Sequence, residues 1–200
     1  MKKLVAGVVV LGVLFTSTAF ASPLAKLEAG KGKIDAAVSI SPRMKAQGVD
    51  LDGKTRYRFG ATYGIGDRIG LDYLYAANAG DKYDSSVKSH QINLMYEINP
   101  YVTAFGGFVL NKLKMNGYGD DNTNGYQLGL QGRYGIADKT TAWAKFGYGN
   151  TITQYELGVG YDLTKNWEAN VFYNDTKYKD FSHDMAVNTH SINIGATYKF

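Results

Sequence analysis

Two hundred residues, 44% hydrophobic and 20% charged, with 24 glycines, 16 tyrosines, three prolines and no cysteine, make one domain and leave no room for a large multidomain enzyme. A collagen, a disulfide scaffold, a zinc finger and an acidic disordered tail are excluded, and no apolar run approaches the roughly 18 to 20 residues of a membrane-spanning helix. The formal charge of +4 falls to +2 once Lys2 and Lys3 are set aside, which gives no electrostatic case for a nucleic-acid partner.

The first segment reads as an address. Lys2 and Lys3 precede an apolar run of 12 residues, Leu4 to Phe15, and Ala19-Phe20-Ala21 forms an A-x-A cleavage site before Ser22. A secretory signal peptide is expected over residues 1–21 and a single domain over residues 22–200. A short anchor helix is the alternative, but the apolar stretch falls short of the roughly 17 residues of the shortest spanning helices. The exported chain, without cysteine, depends on no disulfide.

Beyond Ser22 the chain alternates at period two, the sign of strands with one apolar and one polar face. Tyr57, Phe59, Ala61 and Tyr63 oppose Arg56, Arg58, Gly60 and Thr62. The last strand sets Ile192, Ile194, Ala196, Tyr198 and Phe200 against Ser191, Asn193, Gly195, Thr197 and Lys199. The pattern predicts ten strands, at 33–41, 54–63, 68–77, 89–98, 101–111, 125–135, 140–149, 152–162, 167–177 and 189–200. The fifth carries apolar residues on both parities, so neither of its faces is assigned.

Tyr63, Tyr96, Tyr134 and Tyr161 each sit just before a turn, and Tyr198 just before the end. Their variable spacing excludes a solenoid and points to hairpins. Longer polar connections fall at 41–53, 78–86, 114–122 and 179–188, with a tight one at Asn150-Thr151. An even strand count, strands near ten residues, short turns at one end and long loops at the other match an all-β, antiparallel transmembrane β-barrel. Tyr63, Tyr96, Tyr134, Tyr161, Trp167 and Tyr198 are expected to form an aromatic girdle at the periplasmic interface. Tyr57, Tyr75, Tyr126, Tyr148 and Tyr155 lie nearer the outer one.

Together with the terminal Tyr198-Lys199-Phe200, these features resemble the small outer-membrane β-barrels of Gram-negative-type bacteria, the OmpX and OmpA transmembrane-barrel group. The resemblance covers the whole mature chain. It implies residence in the outer membrane among lipid and lipopolysaccharide, and a C-terminal assembly signal, Tyr198 and Phe200, read by the outer-membrane assembly machinery. Eight strands are usual in that group, so eight is the alternative to ten. Soluble β-sandwiches and lipocalin-like barrels also alternate, but an inward apolar face would have to hold well over a dozen aromatic rings. With the apolar face outward, closure pairs every strand edge, as hydrocarbon demands.

The polar parity then lines the lumen. It carries Lys33, Lys54, Arg56, Arg58, Arg68, Arg133, Lys145 and Lys199 against Asp35, Asp72, Glu97, Glu156, Asp162 and Glu168, a surplus of two cations. Narrow barrels are filled by side chains, so these charges form either a stiffening network or a narrow conduit with slight anion preference. Asp81, Asp84, His183 and Asp184 lie in loops where omptin-type proteases place Asp and His, although those proteases are much longer. A lipid-editing enzyme is disfavoured because adjacent His190 and Ser191 face opposite sides and His90 has the apolar parity. Three scattered histidines give no metal signature, and Asp120-Asp121 lacks the order of a calcium loop, so no metal or cofactor is expected. The expectation is a non-enzymatic barrel, structural or porin-like. The alternatives are an adhesin whose mixed-charge loops contact host or other cell-surface molecules, and, further off, an omptin-like protease.

Overall fold

Side chains that alternate between lipid-compatible and polar require a sheet with two unlike solvents, and the chain satisfies this by closing on itself. A computed structural model describes residues 23–24, 26–117 and 119–200; the expected leader, residues 1–21, lies outside the described residues. The strands are β1 (Gly32–Ser39), β2 (Arg43–Ala46), β3 (Val49–Asp50), β4 (Gly53–Gly66), β5 (Ile69–Gly80), β6 (Ser85–Asn99), β7 (Val102–Met115), β8 (Gly119–Ala137), β9 (Thr140–Gly149), β10 (Ile152–Asp162), β11 (Trp167–Phe181) and β12 (Met185–Lys199). β1 and β4 to β12 pair in order, all antiparallel, and β1 returns to β12 in the register Lys33↔Lys199 to Ser39↔Asn193. The barrel therefore has ten strands, not eight. β2 and β3 form a small hairpin that pairs with β12 from Val187↔Ala46 to His190↔Arg43.

The apolar parity faces outward. Leu128 is 67% exposed and Leu157 63%, whereas Gln127 and Asn193 are fully buried. Only a bilayer makes that arrangement stable, because the outward wall is apolar and the inward one is hydrogen-bonded.

The strands run further than the hydropathy pattern reaches. β7, ending at Met115, and β8, starting at Gly119, absorb most of 114–122, and β11 and β12 absorb most of 179–188, where a short turn at 182–184 remains. Above the hydrocarbon the outward face of a strand meets water, so Lys112, Lys114, Asn122 and Lys177 replace the outward apolar residues while the backbone ladder continues. At the opposite, short-turn end the register shifts by a bulge between Gly64 and Gly66, between Glu97 and Asn99 and between Gly135 and Ala137, each just before a turn. Gly64 is required where it stands, because a Cβ there would collide with the backbone of Glu28 in the N-terminal segment.

Candidate functional site

The lumen is where the sequence places its charges, and its loop end is closed by apolar side chains. Met44 and Ala46 of β2, with Leu51 after β3, are buried against Val87, Val109, Leu113, Ile152, Tyr178 and Val187, inward residues of five different barrel strands. The hairpin is held there by backbone bonds from Leu51 N to Met44 O (2.9 Å), Lys82 N to Leu51 O (3.2 Å) and Asp81 N to Asp52 O (2.9 Å). The loops are tied round the mouth in turn. Asn116 N donates to Tyr83 O at 2.7 Å, and Ser182 N to the Asp121 carboxylate.

Below this layer the lumen is polar and filled. Gln91, Gln127 and Gln154 from β6, β8 and β10 bond one another at 3.0 to 3.3 Å, and Gln127 Nε2 also donates to Asn93 Oδ1 at 2.9 Å. Asn93 Nδ2 in turn reaches Asp72 at 3.2 Å, which accepts from Thr62 at 2.9 Å. Arg56 donates to Ser191 Oγ at 2.9 Å and Thr189 Oγ1 at 3.1 Å. Arg58 ion-pairs with Glu156, stacks at 5.4 Å over Phe172, and through that ring meets Trp143. Lys33 pairs with Asp35, and Lys145 Nζ lies 4.9 Å from the centre of the Phe105 ring. The space left among Lys33, Asp35, Arg58, Asp72, Lys145 and Glu156 is a cavity of about 40 Å³, room for a few waters at most.

The periplasmic mouth is occupied by Pro23, Leu24 and residues 26–31. Leu27 is buried with Met95 and Phe105, its N–H donates to Glu97 Oε2 at 2.9 Å, and its carbonyl accepts from Arg68 N at 2.8 Å. Arg133 donates to the Pro23 carbonyl at 2.8 Å. On the rim, Lys199 bridges Asp162 at 2.7 Å and Glu168 at 2.6 Å.

The expected lumenal residues thus divide into three groups. Arg56, Arg58, Asp72, Lys145 and Glu156 meet inside the barrel; Glu97 and Arg133 hold the N-terminal segment; Glu168 and Lys199 form a rim cluster. Arg68 does not face the lumen. It sits at φ 64° in the turn after Gly66, exposed, with its guanidinium on Ile98 O. The turn conformation breaks the parity by which it was placed inside. Lys54 likewise lies at the loop end, paired with Asp81. Removing these two leaves six cations against six carboxylates and no surplus to favour anions.

Sequence reasoning missed the glutamine layer and the apolar closure. Amides on the inward parity of β6, β8 and β10 signalled the first. The apolar inward residues of β7 signalled the second: the expected strand 101–111 read as ambiguous because Phe105 and Val109 point inward while Phe108 and Leu110 point out.

On the exterior, Tyr63, Tyr96, Tyr134 and Tyr161 are exposed on the outward wall. Trp167 packs on Tyr198 (5.0 Å between ring centres) and Tyr198 on Phe200 (6.2 Å). His90 faces outward with Nδ1 2.9 Å from Tyr73 Oη. The His183 side chain lies outside the described residues, and among those described no cluster of His, Asp or Glu has the make-up of a metal site.

Several solved structures are similar to this chain. Among solved structures, Neisserial surface protein A is 15% identical with a TM-score of 0.49, over 86% of this chain and 98% of that one. Ail of Yersinia pestis, solved with the heparin analogue sucrose octasulfate, is 20% identical with a TM-score of 0.42, over 86% and 99%. The anion-selective porin from Comamonas acidovorans is 15% identical with a TM-score of 0.36, over 73% and 49%. No curated protein matches. The family model for the outer membrane protein beta-barrel domain matches residues 11–200, and the chain therefore belongs to that family and resides in the bacterial outer membrane.

Proposed function

We propose that the protein is a non-enzymatic barrel with a sealed lumen, which stiffens the outer membrane and presents an ordered rim of loops to the exterior. The observation that carries this reading is the apolar closure at the loop end. Val87, Val109, Ile152 and Val187 have no exposed surface there, and an ion crossing such a layer without hydration meets a prohibitive desolvation cost. Arg58, Glu156 and their neighbours then act as a wall-stiffening network rather than as a selectivity filter. The tyrosine set with Trp167 and Tyr198 serves as the periplasmic girdle, and Tyr198 and Phe200 serve the assembly machinery. Residues 1–21 are removed on export, so that protein extracted from membranes has the mass of residues 22–200.

The surface-interaction reading draws on the ties between Tyr83 and Asn116 and between Asp121 and Ser182, which order the loops in advance of any partner. The deciding experiment is planar-bilayer conductance of refolded residues 22–200 at several salt concentrations. Silence from a barrel shown to be folded is expected; discrete current steps would overturn the sealed-lumen reading in favour of a narrow porin-like channel.

A further inference from the structure

Of the five methionines, Met1 lies outside the described residues and the other four sit in the two closures of the lumen. Met44, Met115 and Met185 belong to the loop-end layer, and Met95 packs with Leu27 at the periplasmic mouth. The lipid-facing wall is built of Ile, Leu, Val, Phe and Tyr and exposes no methionine among the described residues. The chain has no cysteine, so these thioethers are its only sulfur, and they are placed where the barrel is shut.

At the loop end they are graded by access. Met185 opens β12 directly after the turn, cross-strand from Phe181, and is only partly buried; Met115 ends β7 and Met44 lies in the hairpin, both buried. An oxidant arriving from outside the cell meets Met185 first. A sulfoxide turns a flexible apolar side chain into a polar one, and the valines and isoleucine of this layer offer its oxygen no hydrogen bond. Polar groups lie ready in the same layer, however. Ser85 Oγ and Ser89 Oγ, on the inward positions either side of Val87, and Asn111 Oδ1, between Val109 and Leu113, are buried with no hydrogen-bond partner among the described residues. Each weakens the closed layer and is satisfied once water enters it, so a small rise in polarity favours hydration.

We propose that Met185, and behind it Met115 and Met44, are oxidation sites for peroxides that reach the cell surface, and that their sulfoxides hydrate and loosen the loop-end closure. The thioether sulfur attacks one oxygen of hydrogen peroxide: the O–O bond breaks, an S–O bond forms, sulfur is oxidised by two electrons, and the other oxygen leaves with both protons as water. This inference rests on the sealed-lumen reading proposed above.

Ser89→Cys places a single thiol on the inner side of the closure in a chain that has no other, and so reports whether the layer is shut. Barrel purified from outer membranes is treated with hydrogen peroxide, freed of it, reduced with dithiothreitol, and exposed to a charged methanethiosulfonate reagent, while peptide mass spectrometry locates the added oxygen. The untreated thiol should stay unlabelled; after oxidation labelling should quicken by about tenfold per sulfoxide, and methionine sulfoxide reductases should restore protection. In the same background the Met44→Leu, Met115→Leu, Met185→Leu variant, which nearly conserves volume, should remain protected under the same peroxide. Met185→Leu alone supplies the same comparison should the triple variant fold poorly. Labelling of the untreated barrel would overturn the sealed lumen and the switch with it. A thiol still protected beneath confirmed sulfoxides, equal labelling of the leucine variants, or no oxygen on Met185 at peroxide levels that oxidise free methionine would each overturn the switch alone.

Discussion

Arg58 and Glu156 face one another across the lumen with 3% and 6% of their side chains exposed. Two charges taken so far out of water attract strongly, yet each has forfeited its hydration. Removing one partner is therefore expected to cost about 3 to 5 kcal/mol, while replacing both with apolar residues of similar volume costs far less. Urea unfolding of the barrel in lipid vesicles should show Arg58→Met and Glu156→Leu each strongly destabilising and the double variant close to wild type. Additive losses would mean that the two are not coupled. On the outer wall, Leu128 lies beside Tyr148 and Ile194 between Val38 and Val171, all facing lipid. Arginine at either position should cost about 2 to 4 kcal/mol near the bilayer midplane, and a neutral result at both would reverse the inside–outside assignment. At this scale the sequence was legible wherever alternation held, which is why Arg56, Arg58 and Glu156 were found from parity alone. It misled at Arg68, where one residue in the left-handed region resets which side is which.

Elements posed a harder problem than residues. The stretch 41–53 is polar enough to read as an open loop, and it contains a two-strand hairpin whose Met44 and Leu51 are each only 1% exposed. Its apolar residues do alternate, at Met44 and Ala46, but four residues of strand are too short for a pattern to stand out from a loop. The signal lay elsewhere, in inward apolar positions of β6, β7, β10 and β12 that a water-filled pore would not carry. Large-to-small changes at such buried positions remove transfer energy and leave a void. Met44→Ala and Leu51→Ala should each cost about 2 to 5 kcal/mol, whereas Val49→Ala, on the exposed side of the same hairpin, should stay within about 0.5 kcal/mol. Vesicle unfolding curves check this directly. Equal, small effects at all three positions would mean that the hairpin does not pack into the mouth.

Closure of the whole molecule depends on its last strand. Phe200 exchanges both backbone bonds with Gly32 at 2.9 Å, and its ring lies where a Cβ on Gly32 would stand, within 2.6 Å. Phe200 is thus placed to complete the ring of strands, and the proposed role as an assembly signal predicts different behaviour from that one. Phe200→Ala keeps the backbone pair and deletes a ring that is about half exposed, so the stability of barrel refolded into pure lipid should change by no more than about 1 kcal/mol. On the proposed assembly-signal role, the amount of folded barrel in the outer membrane of cells should fall severalfold. Gly32→Ala supplies the converse case: it crowds the Phe200 ring without altering the C-terminal sequence, and should weaken the refolded barrel while leaving recognition intact. Measuring refolded stability and cellular yield for both variants separates the roles. If Phe200→Ala loses as much stability in pure lipid as it loses yield in cells, the residue acts by closing the barrel, and the assembly-signal assignment for Tyr198 and Phe200 fails.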